Sequence, residues 1–120
     1  MDGLGSTAVK AAALGGLRAW ALQRATALVA LAFLLYFVLH LVIATPASQA
    51  EWRAWVLSRP MQLALALFFG AVALHAWVGM RDVILDYVKP LGLRLTALLL
   101  LALWLVVSVG WAIATLFPAG

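Results

Sequence analysis

The stretch ATALVALAFLLYFVLHLVIA (residues 25–44) decides the fold, because its 20 residues include no Asp, Glu, Lys or Arg. Two more segments share this property, MQLALALFFGAVALHAWVGM (61–80) and LTALLLLALWLVVSVGWAIATLF (95–117). About 20 apolar residues at roughly 1.5 Å each cross a hydrocarbon core of ~30 Å. No segment alternates apolar and polar residues as a barrel strand does. The sequence therefore predicts an all-α integral membrane protein with three transmembrane helices, which satisfy their own backbone hydrogen bonds in lipid.

The composition supports this fold class and excludes several functions. The chain is 68% hydrophobic and 10% charged, far from the balance of a soluble domain. It has no cysteine, which excludes disulfides, thiolate metal ligands and a covalently attached c-type haem. Its net charge of +4 comes from basic residues near the ends of the apolar segments, so nucleic-acid binding is not indicated.

The connections between the apolar segments complete the predicted organisation. Trp52, Trp55 and Val56 have i, i+3, i+4 spacing, which predicts a short interfacial helix in the first connection. Pro90 is expected to end the second helix and start the third. The predicted divisions are an N-terminal segment (1–24), the first transmembrane helix (25–44), a connection (45–60), the second helix with its extension (61–88), a turn (89–94) and the third helix (95–117).

The basic residues predict the orientation. With three spans, the N-terminal segment and the second connection share one side of the membrane. Six of the eight Lys and Arg residues fall on that side and two on the other, and the residues of the richer side are Lys10, Arg18, Arg24, Arg81, Lys89 and Arg94. The positive-inside rule then makes the N-terminus cytoplasmic and the C-terminus external. A bacterial inner membrane is expected.

Two histidines, His40 and His75, lie within the apolar segments. An ionisable residue in a membrane span is a functional candidate because its burial is costly, although a neutral imidazole bonded to a neighbour is the simpler alternative. His40 lies roughly 24 Å along the first helix from Arg24, whereas His75 lies only about 9 Å from Arg81. This depth difference of ~15 Å prevents both histidines from binding one iron, since metal–ligand bonds are about 2 Å long.

His75, Gly79, Asp82 and Asp86 follow one another at helical spacing and form a narrow stripe. Gly79 has no side chain, so a flat cofactor or another helix can approach there. Asp82 beside Arg81 is best interpreted as a solvated charge pair. Asp86 beside Tyr87 is a stronger functional candidate, since it shares the face of His75.

Arg24 opens the first helix at the depth of this stripe. It is expected either to reach lipid phosphate or to pair with a carboxylate of a bound cofactor.

The sequences RATALVALAFLLY (24–36) and HAWVGMRDVILDYVKPLGLRL (75–95) closely resemble the smaller hydrophobic membrane-anchor subunit of bacterial succinate dehydrogenase, respiratory complex II. The resemblance implies half of a two-subunit haem-binding helical bundle, with one haem b shared with a second hydrophobic anchor subunit. It also implies a flavoprotein with FAD and an iron–sulfur subunit on the cytoplasmic face. Electrons from succinate would pass through these subunits to ubiquinone, and the isolated chain is not expected to be catalytic.

The resemblance assigns roles to four residues. His75 falls at the axial ligand of the haem iron, Arg24 at the arginine that pairs with a haem propionate, and Tyr87 at the quinone-contacting tyrosine, with Asp86 preceding it. His40 matches no site of the family and is interpreted as structural. The chain departs from the pattern at two places, residues 18–19, where a histidine or acidic residue is often found, and Arg81, where tryptophan is common.

Two other classes of protein compete with this interpretation. A non-redox oligomeric membrane protein, such as a pore or an assembly scaffold, explains three spans but not the shared stripe of His75 and Asp86. A transporter would require inverted repeats and broken helices, which the sequence lacks. A visible spectrum of the purified complex separates these alternatives.

Overall fold

The computed structural model describes residues 2–120, with side chains from residue 3 onward. Its helices are α1 (Asp2–Ile43), α2 (Gln49–Val56), α3 (Arg59–Tyr87) and α4 (Leu91–Leu116). Helices α1, α3 and α4 are each long and apolar enough to cross a membrane. The predicted all-α membrane fold with three spans is confirmed.

Helix α1 extends well beyond the apolar stretch that the sequence marks out. It contains 42 residues, which corresponds to roughly 63 Å, and the longest dimension of the protein is 68 Å. The first predicted segment is therefore helical from Asp2 onward and continuous with the span. Gly15 and Gly16 do not interrupt this helix, because the good helix formers around them offset the cost of about 1 kcal/mol for each glycine. Residues 3–18 are all exposed.

Helix α2 lies in the first connection and is capped by side chains. The hydroxyl of Ser48 accepts a hydrogen bond from the backbone N–H of Glu51 at 3.2 Å. The Glu51 carboxylate in turn accepts one from the backbone N–H of Ala47 at 2.8 Å. This reciprocal arrangement closely resembles a capping box, and it starts a helix that is too short to be stable alone.

Three residues connect α3 to α4, so the two helices are antiparallel neighbours. Pro90 is the N-cap of α4, and its carbonyl accepts a hydrogen bond from the backbone N–H of Arg94 at 2.9 Å. Helix α4 therefore begins at Leu91, within the segment 89–94 that was expected to be a turn. Its first turn includes Arg94, a charged residue that lies outside the apolar segment predicted as the third helix (95–117).

The three long helices stand in a row with α3 in the middle. Helix α3 packs against both α1 and α4, whereas no Cα atoms of α1 and α4 in the described chain approach within 8 Å. On α1, less exposed residues that face α3 or, in the last turns, α2 alternate in steps of four and three, as in a heptad seam. They are Ala19, Gln23, Thr26, Ala30, Phe33, Phe37 and His40.

The two ends of this seam differ in character. The end that carries Arg24, Arg81 and Arg94 is called the basic end here, and its seam residues are small or polar. The opposite end, next to α2, is called the α2 end, and its seam residues are aromatic. There the rings of Phe33 and Phe68 stack with centroids 4.7 Å apart. Position along the seam therefore decides whether a polar side chain finds a polar partner.

Candidate functional site

His75 lies half-buried on α3, where its ring meets α1 near the basic end. Its Nδ1 atom is 3.1 Å from the backbone carbonyl oxygen of Gln23. A carbonyl oxygen only accepts hydrogen bonds, so the proton of the neutral imidazole is on Nδ1. The Nε2 atom consequently carries the lone pair that can bind a metal. Metal-binding histidines commonly donate their other ring N–H to an acceptor of this kind.

Thr26 provides a second polar group beside the same ring. Among the described residues, Thr26 is the one polar residue that is buried, with 6% of its surface exposed. Its hydroxyl oxygen is 2.8 Å from the carbonyl oxygen of Leu22, to which it donates, and 3.4 Å from Nδ1 of His75. Because the hydroxyl proton is directed at a carbonyl of its own helix, the oxygen is free to accept from the imidazole N–H. Two acceptors on α1 thus orient His75.

Gly79, one helical turn after His75, lets α1 and α3 approach each other. A Cβ atom at this position would be 3.2 Å from the side-chain Nε2 of Gln23, which is tighter than most contacts in proteins. Among the possibilities left open by the sequence, the close neighbour of Gly79 is therefore a helix of the same chain. Gln23 links the two features, since its side chain covers Gly79 and its carbonyl oxygen holds His75.

Arg24 follows Gln23 directly and is exposed. Its guanidinium carbon lies 5.7 Å from the centre of the Trp20 ring, one helical turn earlier, at a distance typical of a cation–π contact. No carboxylate of the described chain lies within ion-pair distance of this guanidinium. All of its N–H donors therefore remain able to bind an anionic group.

Asp82 and Arg81 form the ion pair that their adjacency suggested, with 2.9 Å between Arg81 Nη2 and Asp82 Oδ1. Both side chains are substantially exposed, so the pair contributes little to stability. They border a cleft of about 470 Å³ between α1 and α3 at the basic end. The other residues that line this cleft are Gly15, Gly16, Ala19, Trp20 and Gln23.

Asp86 and Tyr87 lie at the C-terminal end of α3. Both are exposed, and the Tyr87 side chain retains 81% of its accessible surface. The Tyr87 hydroxyl makes no hydrogen bond within the described residues. The structure therefore does not bring Tyr87 into contact with His75 or Arg24. The three share the basic end of the protein.

His40 lies at the α2 end in a different environment. Its imidazole stacks on the Trp55 ring, with centroids 4.2 Å apart and an angle of 10° between the planes. Tyr36 lies one turn away, at 6.1 Å. Within residues 3–120 no hydrogen bond is made by the His40 side chain. The ring serves as a flat packing surface between α1 and α2.

Sequence reasoning missed three residues that the structure brings into the site region. Gln23 and Thr26 hold His75, and Arg94 donates to the carbonyls at the end of α3. A signal existed for Thr26, a hydroxyl residue at the start of an apolar span, whereas Gln23 acts through a backbone carbonyl that no residue type marks. A signal also existed for Arg94, which is the single charged residue of α4.

These features define a class, a multi-pass helical membrane protein with an oriented imidazole in the seam between two spans. Residues 10–110 match the family described as "Succinate dehydrogenase/Fumarate reductase transmembrane subunit". The chain belongs to this family.

Two relatives support the same assignment. The chain is 33% identical over 104 residues to a protein of Coxiella burnetii named "Succinate dehydrogenase hydrophobic membrane anchor subunit", covering 87% of this chain and 90% of that protein. A protein of Rickettsia felis with the same name is 29% identical over 102 residues, covering 84% of each. The resemblance recognised in the sequence is thereby confirmed.

Proposed function

We propose that this chain is the hydrophobic membrane-anchor subunit of a succinate:quinone oxidoreductase. In this role it attaches a flavoprotein subunit and an iron–sulfur subunit to the membrane, shares a haem b with a second anchor subunit, and forms part of the site where ubiquinone is reduced. The observation that carries the proposal is the hydrogen bond from His75 Nδ1 to the Gln23 carbonyl. The family membership and the names of the two relatives support the anchor role.

The residues present fit a haem. His75 would hold the haem iron through Nε2, while its Nδ1–H is held by α1, which would raise the basicity of the ligand and restrain the ring. Within residues 3–120 no group of three or more potential ligands could hold a bare metal ion. A haem needs only one histidine from this chain, because its porphyrin supplies four nitrogen ligands and a partner subunit can supply the sixth. Arg24 would bind a propionate, since its donors have no carboxylate partner here.

The row of helices supports a second anchor subunit. Because α1 and α4 do not meet, part of α3 between them stays uncovered by this chain. A single chain of this shape cannot enclose a flat cofactor, and helices of a partner would complete a bundle around His75.

Tyr87 and Asp86 are proposed to contact the quinone. Ubiquinone takes up two electrons and two protons, and the two electrons come from the oxidation of succinate in the flavoprotein subunit. A haem, when bound, adds a one-electron carrier. The Tyr87 hydroxyl can donate a hydrogen bond to a quinone carbonyl as negative charge develops there. Asp86 would orient neighbouring groups or pass protons from the aqueous side.

The proposed location is a bacterial inner membrane with the N-terminus in the cytoplasm. The basic end then faces the cytoplasm, where the soluble subunits would dock. The distribution of Lys and Arg supports this orientation.

The test is the Tyr87→Phe variant in the purified four-subunit complex, which deletes one hydroxyl and keeps the ring. We expect succinate–ubiquinone reductase activity to fall by about tenfold, as the loss of ~1.5 kcal/mol of transition-state hydrogen bonding predicts. Succinate oxidation with an artificial acceptor for the soluble subunits should be unchanged. The matched control is Tyr36→Phe, which alters the other tyrosine of the chain, on α1.

Two results would contradict the proposal. Full quinone reductase activity in Tyr87→Phe would remove Tyr87 from the quinone site. A purified assembly without haem and flavin would reject the redox role altogether and favour a non-redox oligomer.

A further inference from the structure

Arg94 is the single charged residue of α4, and it is directed toward another helix of the same chain. Its Nε donates to the carbonyl oxygen of Val88 at 3.0 Å, and its Nη2 donates to that of Leu85 at 3.3 Å. The residue is half-buried. An arginine at the edge of a span is usually directed toward lipid phosphate or water. The guanidinium fork of Arg94 binds backbone carbonyls instead.

These two carbonyls belong to the end of α3, where helix geometry leaves carbonyl groups without partners. The backbone N–H of Val88 still bonds to Ile84 at 3.0 Å, but no later N–H continues the helix. Arg94 satisfies the carbonyl before the Asp86–Tyr87 pair and the carbonyl after it. A positive charge at a helix C-terminus is also favourable electrostatically. The backbone that carries Asp86 and Tyr87 is therefore held on both sides by one side chain.

This restraint matters because Tyr87 has little else to hold it. Its side chain is 81% exposed, and within the described residues its hydroxyl makes no hydrogen bond. The direction of the side chain consequently depends on the backbone at the end of α3. A hydroxyl must lie within hydrogen-bond reach of a reacting carbonyl to contribute to catalysis, and small displacements weaken that contribution.

We propose that Arg94 is the positioning residue for Tyr87. By binding the carbonyls of Leu85 and Val88 it holds the end of α3 in the conformation that presents the Tyr87 hydroxyl to the quinone. Arg94 does not touch the quinone and acts through Tyr87. This inference rests on the proposed quinone-reducing function.

The experiment compares Arg94→Gln with Lys89→Gln in the purified four-subunit complex, with a short-chain ubiquinone as acceptor. Both variants remove one positive charge from the same end of the protein, but within the described residues Lys89 makes no hydrogen bond to the end of α3. We expect Arg94→Gln to lower kcat/KM for the quinone by about three- to tenfold, while haem content and activity with an artificial acceptor stay normal. Lys89→Gln should change kcat/KM less than twofold. Arg94→Lys keeps the charge without the fork and should be intermediate.

A double-mutant cycle tests whether Arg94 acts through Tyr87. In a Tyr87→Phe background, Arg94→Gln should cause little further loss, because the hydroxyl that it positions is already absent. Fully multiplicative losses would overturn the inference, and so would wild-type kcat/KM in Arg94→Gln while Tyr87→Phe is impaired. If Arg94→Gln does not assemble, Arg94→Lys provides the same cycle. Full activity of Tyr87→Phe would instead reject the proposed quinone site itself, so the two failures are distinguishable.

Discussion

The two histidines of this chain show two different ways of placing an imidazole in a membrane span. His75 donates its Nδ1–H to the Gln23 carbonyl, and Thr26 lies beside it. His40 stacks its ring flat on Trp55 and makes no side-chain hydrogen bond within the described residues. The first environment fixes a tautomer and leaves Nε2 for a ligand. The second uses only the faces of the ring.

The difference shows that the hydrogen-bond partner of a half-buried histidine indicates its role, whereas its burial does not. Both residues are half-buried and both lie in apolar segments. Only His75 has a backbone acceptor from a neighbouring helix, an arrangement that orients a metal ligand. The aromatic surroundings of His40 instead offer contact area that suits a flat ring.

The largest expected effect separates the two histidines directly. Replacing His75 by alanine removes the proposed axial ligand, so the purified complex should lose most of its haem or show a strongly altered spectrum. Replacing His40 by alanine should leave the haem spectrum unchanged, because that ring is proposed to bind no iron. Reduced-minus-oxidised visible spectra measure both. An unchanged spectrum with full haem content in the His75 variant would show that the ligand is misassigned.

A smaller effect is expected from the glycine beside His75. Gly79→Leu places a Cβ 3.2 Å from the side-chain Nε2 of Gln23 and puts a branched side chain between α1 and α3. The larger side chain would hold α1 and α3 apart and weaken the bond from His75 Nδ1 to the Gln23 backbone carbonyl, so haem should be retained less firmly on heating.

Gly70→Leu on the same helix is the control, since no atom lies within 4 Å of its added Cβ. Haem loss is followed by the absorbance of the complex against temperature. Equal behaviour of the two leucine variants would mean that the Gln23 contact does not influence the site.

The smallest effect concerns the arginines at the two ends of the seam. Arg24 lies over Trp20 at 5.7 Å and Arg59 over Phe117 at 6.0 Å, so both make similar aromatic contacts. Arg24→Ala should weaken haem binding about fivefold, which corresponds to the ~1 kcal/mol expected of an exposed ion pair. Arg24→Lys should weaken it less, and Arg59→Ala should not change it. Haem-to-protein ratios during dilution provide the measurement, and no difference between Arg24→Ala and Arg59→Ala would make Arg24 a lipid anchor only.

Much of the fold could be predicted from the sequence, because hydrophobic length alone determines which segments can cross a bilayer. The start of α1 at Asp2 could not be predicted, because residues 3–18 are all exposed and no packing contact imposes a periodic pattern on their sequence. The row arrangement of the helices was equally hidden. In lipid every face of a span can be apolar, so the sequence does not indicate which face meets a neighbour.

The sequence predicted Arg24 at the depth of the His75 stripe, but it could group residues on a common face only along one helix. Spacing places His75 and Gly79 on one stripe of α3, but it cannot identify the helix opposite them. The structure supplies Gln23 of α1, whose backbone carbonyl is the acceptor for His75. Backbone acceptors have no sequence signature, because every residue has one. Arg94 was overlooked for a related reason, as its partners are also carbonyl groups.

The position of α3 between two helices that do not meet sets an order for biogenesis. The chain enters the membrane from its N-terminus, so α1 and α3 are available to each other before α4 is complete. The bond between His75 and Gln23 needs only those two helices. The fork of Arg94 needs α4 as well. A nascent chain halted before α4 should therefore already hold an oriented imidazole, whereas the end of α3 that carries Tyr87 acquires its final restraint only when the last helix is inserted.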